Sequence, residues 1–239
     1  MWKIITLFFV LPIYPEEVTL KNRFYQLIWD NDRRSPVQTK HLLHDSEKKL
    51  SRAGMYYKDD KRVDSFSTKS YRYSGYDRGH LVPAGDMNFS KAALKSTFLM
   101  TNMTPQRPEF NRGSWKNLEM QIRSWRRKKL EVITGVLFHP DGKIEPANGK
   151  IPVPDAFYKI IYCPQRQDSI AFILPNKANH QPLHHYTVDR KELEKLTGKS
   201  LPFPVSKQNG NWFHQPLLFY FNLSIFSLLY YQKSKRRIT

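Results

Sequence analysis

Only one of the 239 residues, Cys163, is a cysteine, which excludes an intramolecular disulfide, an all-cysteine zinc site and a thioredoxin-type pair. Glycine is sparse as well. None of the ten glycines falls in a G-x-x-x-x-G-K or G-x-G-x-x-G run, so the phosphate cradles of P-loop and dinucleotide-binding proteins are absent. No apolar run reaches the roughly 20 residues that a bilayer-spanning helix needs. Acidic residues are few: 21 stand against 39 lysines and arginines, a formal net charge of +18 with histidine neutral. Lys233, Lys235, Arg236 and Arg237 in the last seven residues supply only four of those charges, leaving +14 on the body. Such an excess suits a polyanionic partner, nucleic acid or an anionic lipid surface.

The two ends differ from the middle. Ile4 to Ile13 is mostly apolar and follows Lys3, as in a secretory signal, yet no A-x-A-like small pair follows it; a buried first strand is the competing reading. Pro216 to Tyr231 is apolar and aromatic and ends before the basic KSKRR. That pattern fits a membrane contact with a positive flank, or a buried terminal helix or strand. If both ends are membrane signals, the chain is exported: periplasmic, secreted or membrane-associated. The organisation expected is therefore an apolar segment over 1–22, one domain over 23–205, and an apolar and basic extension over 206–239.

Within the domain, residues 23–35 alternate like a strand ending in a polar turn, and residues 36–75 show no sustained period and read as loops. Ser90 to Thr97 predicts a short helix capped by Ser90, and residues 97–101 a buried strand. Trp115, Leu118, Ile122 and Trp125 form one helical stripe. Strands are expected over 130–138, 157–163 and 169–174, and a short helix over 190–196. The class is α+β, a largely antiparallel central sheet flanked by helices.

Three segments carry the chemistry. Tyr76 to Ala84 reads YDRGHLVPA, placing Asp77, Arg78 and His80 together at a turn. A lone histidine beside Asp and Arg is more often a structural hydrogen-bonding residue than a catalyst. Thr101 to Gln106 reads TNMTPQ, and Phe110 to Glu119 reads FNRGSWKNLE. Asn111 precedes the striped helix, where its side chain could cap the helix or bind a metal. Glu119 lies about 40° from Trp115 and about 60° from Ile122 on the helical wheel, so its carboxylate borders the apolar stripe and needs a partner. Arg123 at i+4 is one partner, and the hydration shell of a divalent cation held by Asn111 is the other. The surrounding stretch is dense in positive charge, with Arg112, Lys116 and Arg123 placed to meet phosphates, although such a run also reads as a solvated face.

In order and spacing these segments resemble the DNA/RNA non-specific endonucleases of the ββα-metal superfamily, which include mitochondrial endonuclease G. The likeness extends over roughly residues 23–205. It implies a sugar-non-specific endonuclease that hydrolyses phosphodiester bonds in DNA and RNA to 5′-phosphate ends and depends on Mg2+, with Mn2+ as a substitute. Residue by residue, it implies His80 as general base, Asn111 as direct magnesium ligand and Glu119 as the carboxylate orienting metal-bound water. Asn102 would support the base, and Arg78 would be the site arginine. Arg34 fits the family's upstream arginine, but Gln38 stands where tryptophan is usual, and Val136 follows Gly135 where proline is usual. A homodimer and a protein inhibitor join DNA and RNA as expected partners.

A non-catalytic, membrane-associated nucleic-acid-binding protein that keeps the fold is the alternative, separated from the enzyme by magnesium-dependent cleavage. His180 and His184 are four apart, but Pro182 between them breaks the helix that a zinc pair would need.

Overall fold

A computed structural model describes residues 16–45, 49–125, 129–138 and 145–201. The apolar segments at the two ends, and Arg126 to Lys128 of the basic run, lie outside the described residues. Among the described residues no helix is long and apolar enough to cross a membrane.

A seven-stranded antiparallel sheet carries the fold. Its strands are β1 (Glu17–Lys21), β2 (Tyr25–Asp30), β3 (Ser35–Leu42), β6 (Glu131–Leu137), β9 (Ala156–Cys163), β10 (Asp168–Pro175) and β11 (Thr187–Val188), neighbours in that order, while β4 (Asp77–His80) with β5 (Met103–Gln106) and β7 (Glu145–Ala147) with β8 (Ile151–Val153) form two separate ribbons. The expected α+β architecture is the one observed. The first strand begins six residues before the expected domain boundary, pairing Glu17 with Asp30.

The central strands are apolar on both faces, so each face takes a cover. On one face Val132, Val136, Phe157, Ile161, Ile170, Phe172 and Leu174 meet the helix α2 (Lys116–Ser124) through Trp115, Leu118, Ile122 and Trp125. All four members of the predicted stripe are buried. On the other face Ile133, Tyr158, Ile160 and Ala171 pack on Leu193 of α3 (Arg190–Thr197). That helix is bounded by local chemistry: the Asp189 side chain accepts a hydrogen bond from the Glu192 N–H, and Gly198 takes the left-handed conformation at the end. The short helix α1 (Lys91–Ser96) starts as expected, with the Ser90 hydroxyl accepting from the Ala93 N–H.

Two sequence expectations fail. The stretch over 36–75 is not all loop, because β3 runs through its beginning and pairs with both β2 and β6. Its inward face carries Thr39 and His41, polar residues that erase the apolar alternation although both are buried. Residues 97–101 are not a strand either. Thr97 and Phe98 close α1, Met100–Asn102 form a single 3-10 turn, and the strand β5 begins only at Met103.

The site is built on a second, two-stranded unit. Strands β4 (Asp77–His80) and β5 (Met103–Gln106) pair antiparallel, with Gly79 opposite Thr104 and His80 opposite Met103. From Phe110 to Trp115 the chain forms a wide, π-type helical turn, broken at Gly113 (φ −102°, ψ −111°), and then enters α2. Two strands and a helix are thus stacked against the large sheet. Buried Asn176 secures the crossover: its amide donates to the carbonyls of Pro105 and Pro154, and its Oδ1 accepts from the Arg107 N–H.

The ribbon explains the glycine beside the histidine. A Cβ on Gly79 would overlap the buried side chain of Gln106, so the DRGH and TPQ segments are matched in shape. Gly79→Ala is expected to destabilise the fold by about 1–3 kcal/mol. Urea unfolding checks this, and adding Gln106→Ala should recover part of the loss; equal losses in the single and double variants would contradict the packing account.

Candidate active site

Strand β4 ends by delivering His80 to the wall of a cleft of about 1030 Å3. Asn111, Arg112, Lys116, Glu119 and Arg123 reach the same cleft from the helical side, and Arg52, Lys69, Arg72 and Arg78 from the loops. Seven basic side chains line it against two carboxylates, Asp77 and Glu119, a composition that attracts polyanions. The sequence reading therefore placed His80, Arg78, Asn111, Glu119, Arg112, Lys116 and Arg123 in one locality, and the fold brings them together.

Asp77 organises the helical side. One oxygen of its carboxylate accepts from Asn111 Nδ2 at 2.9 Å and Arg112 Nε at 2.9 Å, and the other from Arg112 Nη2 at 2.6 Å. Burial would raise the pKa of this carboxyl, but the hydrogen bonds from Arg112 and Asn111 outweigh it and hold the group below its usual range. An ionised carboxylate can only accept, so it dictates that the NH2 end of the Asn111 amide faces Asp77. Asn111 Oδ1 is left without a hydrogen bond among the described residues, and the side chain does not cap the helix. Arg112, 72% exposed at its side chain, is committed to Asp77, whereas Lys116 makes no ion pair among the described residues.

His80 sits against aromatic rings, with Phe98 edge-on at 5.3 Å and Tyr57 at 6.1 Å between centroids. Its Nε2 is enclosed and has no hydrogen-bond partner. Burial first, and then the positive charge of Arg52, lowers the imidazole pKa from 6.5 to about 3, so the ring is neutral at physiological pH. Arg78 lies over Tyr57, 4.5 Å from the ring centre, and donates to the Thr68 carbonyl at 3.3 Å. The Asn102 side chain directs its hydrogen bonds to backbone rather than to the imidazole. Fully buried, it exchanges hydrogen bonds with both backbone groups of Val82 and donates to the Thr97 carbonyl, fixing the chain two residues beyond His80.

Arg34 stands apart. It lies outside the residues that line the cleft, pairs with Asp64 at 2.8 Å and stacks over Phe66 at 4.3 Å.

Glu119 is the second unusual group. Its side chain is 16% exposed and its nearest ion-pair partner, Arg123, is 3.8 Å away, because Arg123 is drawn to Asp86 at 3.0 Å. Beneath lies Lys159, 1% exposed, on the sheet face that meets α2; its amine donates to Thr134 Oγ1 at 2.7 Å and lies 4.6 Å over the Trp115 ring. Burial raises the Glu119 pKa to about 7, opposed by Lys159 and Arg123 and assisted by Asp86. Asp86 also binds His41 Nε2 at 3.0 Å. Sequence reasoning missed Asp77 as an organiser, Lys159, and the His41–Asp86 pair. The lysine in the apolar strand FYKIIYC was the available signal.

Whether a hard cation suits this cleft turns on the oxygen donors. A free amide oxygen on Asn111 and an under-paired carboxylate on Glu119 share one wall, and both are hard ligands of the kind magnesium takes together with water. Among the described residues no group of three or more His, Cys, Asp or Glu is placed to hold a metal ion. His184 stacks on His185, and His180 joins no such group.

The family model for DNA/RNA non-specific endonucleases matches residues 9–208. The chain belongs to the DNA/RNA non-specific endonuclease family. Like that family's members it is an enzyme of the nuclease class. It is 37% identical over 189 residues to nuclease C1 of Cunninghamella echinulata var. echinulata, covering 70% of this chain and 75% of the relative. It is 31% identical over 245 residues to the mitochondrial nuclease 1 of Schizosaccharomyces pombe, covering 90% and 76%. In structure it is similar to the endonuclease of an EndoG/EndoGI complex solved in a study of EndoG inhibition. The TM-score there is 0.66 at 27% identity, with 75% of this chain and 83% of the other covered.

The raised Glu119 pKa has a measurable consequence for this endonuclease. An unfolded glutamate loses its proton near 4.5 and the folded one near 7, so the folded state holds the extra proton across that window. The resulting stabilisation is complete below pH 4.5 and is lost as pH rises through 7. Metal-free wild type is expected to lose on the order of 1–3 kcal/mol relative to Glu119→Gln between pH 4.5 and 7. Urea titrations in EDTA at the two pH values measure it, and a pH-independent difference would contradict it.

Proposed function

We propose that the chain is a magnesium-dependent, sugar-non-specific endonuclease that cuts DNA and RNA by hydrolysis to 5′-phosphate ends, with His80 as the general base. The supporting observation is the convergence of a neutral His80, the free oxygen of Asn111 and the under-paired carboxylate of Glu119 in one basic cleft.

With its proton on the enclosed Nε2, His80 presents Nδ1 as the basic nitrogen. That nitrogen takes a proton from water as the water oxygen bonds to phosphorus, and the bond from phosphorus to the 3′ oxygen breaks. The products are a 5′-phosphate and a 3′-hydroxyl, the latter protonated from solvent. No ribose hydroxyl takes part, so both DNA and RNA are cut. Asn111 would hold the cation through Oδ1 and Glu119 would orient water beside it, with Mn2+ able to replace Mg2+. The bound cation supplies positive charge at the phosphate and the leaving oxygen. Arg78, fixed over Tyr57, grips the same phosphate group, and Lys116, Arg72 and Lys69 hold neighbouring phosphates without reading bases. Arg123 belongs to the Asp86 pair and steadies Glu119, while Arg34 plays no part at the phosphate. EndoG in the similar complex is held by an inhibitor, and a protein inhibitor is a partner class for this chain too.

His80→Ala is expected to lower cleavage of plasmid and of single-stranded RNA by at least about 100-fold while nucleic-acid affinity in EDTA changes less than about two-fold. Adding EDTA to wild type should abolish cleavage. Agarose gels and a retardation assay read both quantities. Equal loss of binding and cleavage would assign His80 a folding role, and retardation without any cleavage by wild type would favour a binding protein.

A further inference from the structure

Tyr73 is 93% exposed, the most exposed large hydrophobic side chain among the described residues, and its backbone is left-handed at φ 59°. A tyrosine is disfavoured in that conformation because its Cβ crowds the backbone carbonyl, a strain that glycine or asparagine would largely avoid. Exposed aromatics are ordinary on protein surfaces, but one held against its backbone preference, with no contact in the core to compensate, calls for another use.

Its surroundings are hydrogen-bonded. Tyr71 is buried two residues before it, and Asn148 Nδ2 donates to the carbonyls of Ser70 and Arg72 at 3.3 and 2.9 Å. The Ser74 hydroxyl donates to the Tyr71 carbonyl at 2.9 Å and accepts from the Tyr76 N–H. The loop so fixed is one wall of the cleft: Lys69, Arg72 and Arg78 all line it. Tyr73 itself lies just outside the cleft lining, next in the chain after Arg72, on the hydrogen-bonded loop that carries those cations.

We infer that Tyr73 is a stacking platform for a nucleobase of single-stranded nucleic acid, a subsite adjoining the phosphate-binding cleft. The inference rests on the nucleic-acid reading of the cleft. An aromatic face accepts any base, so the platform adds affinity without sequence preference, and it acts only where bases are unpaired. Duplex, whose bases are stacked on one another, gains little from it. The single-stranded form thus becomes the better-held substrate.

The test uses the full chain in EDTA, with a single-stranded 12-mer carrying 2-aminopurine and with its duplex. Tyr73→Ala is expected to weaken single-strand binding about 5- to 10-fold and to abolish the quenching of 2-aminopurine, with duplex affinity changed less than about two-fold. Tyr73→Phe should bind as wild type. Tyr73→Gly should lose the same affinity while unfolding at an equal or higher temperature. Unchanged single-strand binding by Tyr73→Ala, equal losses for both substrates, or a lower unfolding temperature for Tyr73→Gly would overturn the assignment. A separate incubation of wild type with Mg2+ tests the nuclease reading: absence of cleavage there, with Tyr73-dependent binding in EDTA, sinks that reading and leaves the platform standing.

Discussion

The carboxylate of Asp77 is the constraint on which the site depends. It sits three residues before His80 on β4 and accepts hydrogen bonds from the two consecutive residues Asn111 and Arg112 at the start of the helical segment. One ionised group thereby ties the strand that carries His80 to the turn that carries the amide oxygen of Asn111. It also decides which end of the Asn111 amide faces the cleft, a choice that the backbone alone would leave open. The glycine between them and the glutamine opposite serve the same end, because the close fit of Gly79 on Gln106 sets the spacing of the ribbon.

A second constraint lies below the helix. The sheet face under α2 is apolar except for a polar row in which Thr39 pairs with Thr134 and Thr134 with Lys159, with His41 beside it. Burying an amine and two carboxylates costs several kcal/mol per ion unless they are matched. Here Lys159, Asp86 and Arg123 act on Glu119, with His41 bound to Asp86, leaving that carboxylate partly satisfied and its pKa raised by burial to about 7. An apolar row would pack as well, so the expense falls where the carboxylate is used.

The large sheet was legible because its central strands and the Trp115–Trp125 stripe are apolar with clean periods. Strand β3 was not, since Thr39 and His41 fill its buried face, and the residues 97–101 were apolar for the sake of a tight turn packed under α1. The cleft residues His80, Asn111 and Glu119 were readable as a set only through the resemblance of their three segments to the nuclease family; taken singly, His80 reads as structural, Asn111 as a helix cap and Glu119 as half of an i,i+4 pair with Arg123. Asp77, Lys159 and the His41–Asp86 pair work across 34 to 45 residues of sequence or through the sheet, and no local pattern announces such contacts. Arg34 is the reverse case, a fitting local motif whose side chain pairs with Asp64 outside the residues that line the cleft.

The central claim is that Asp77 orients Asn111 for a cation, and it is tested by titrating Mg2+ into plasmid cleavage by wild type and Asp77→Ala at constant ionic strength. The account gives a half-maximal Mg2+ concentration about 10- to 100-fold higher in the variant, with the circular dichroism of the folded chain retained. An unchanged half-maximal concentration in a folded Asp77→Ala protein would contradict it.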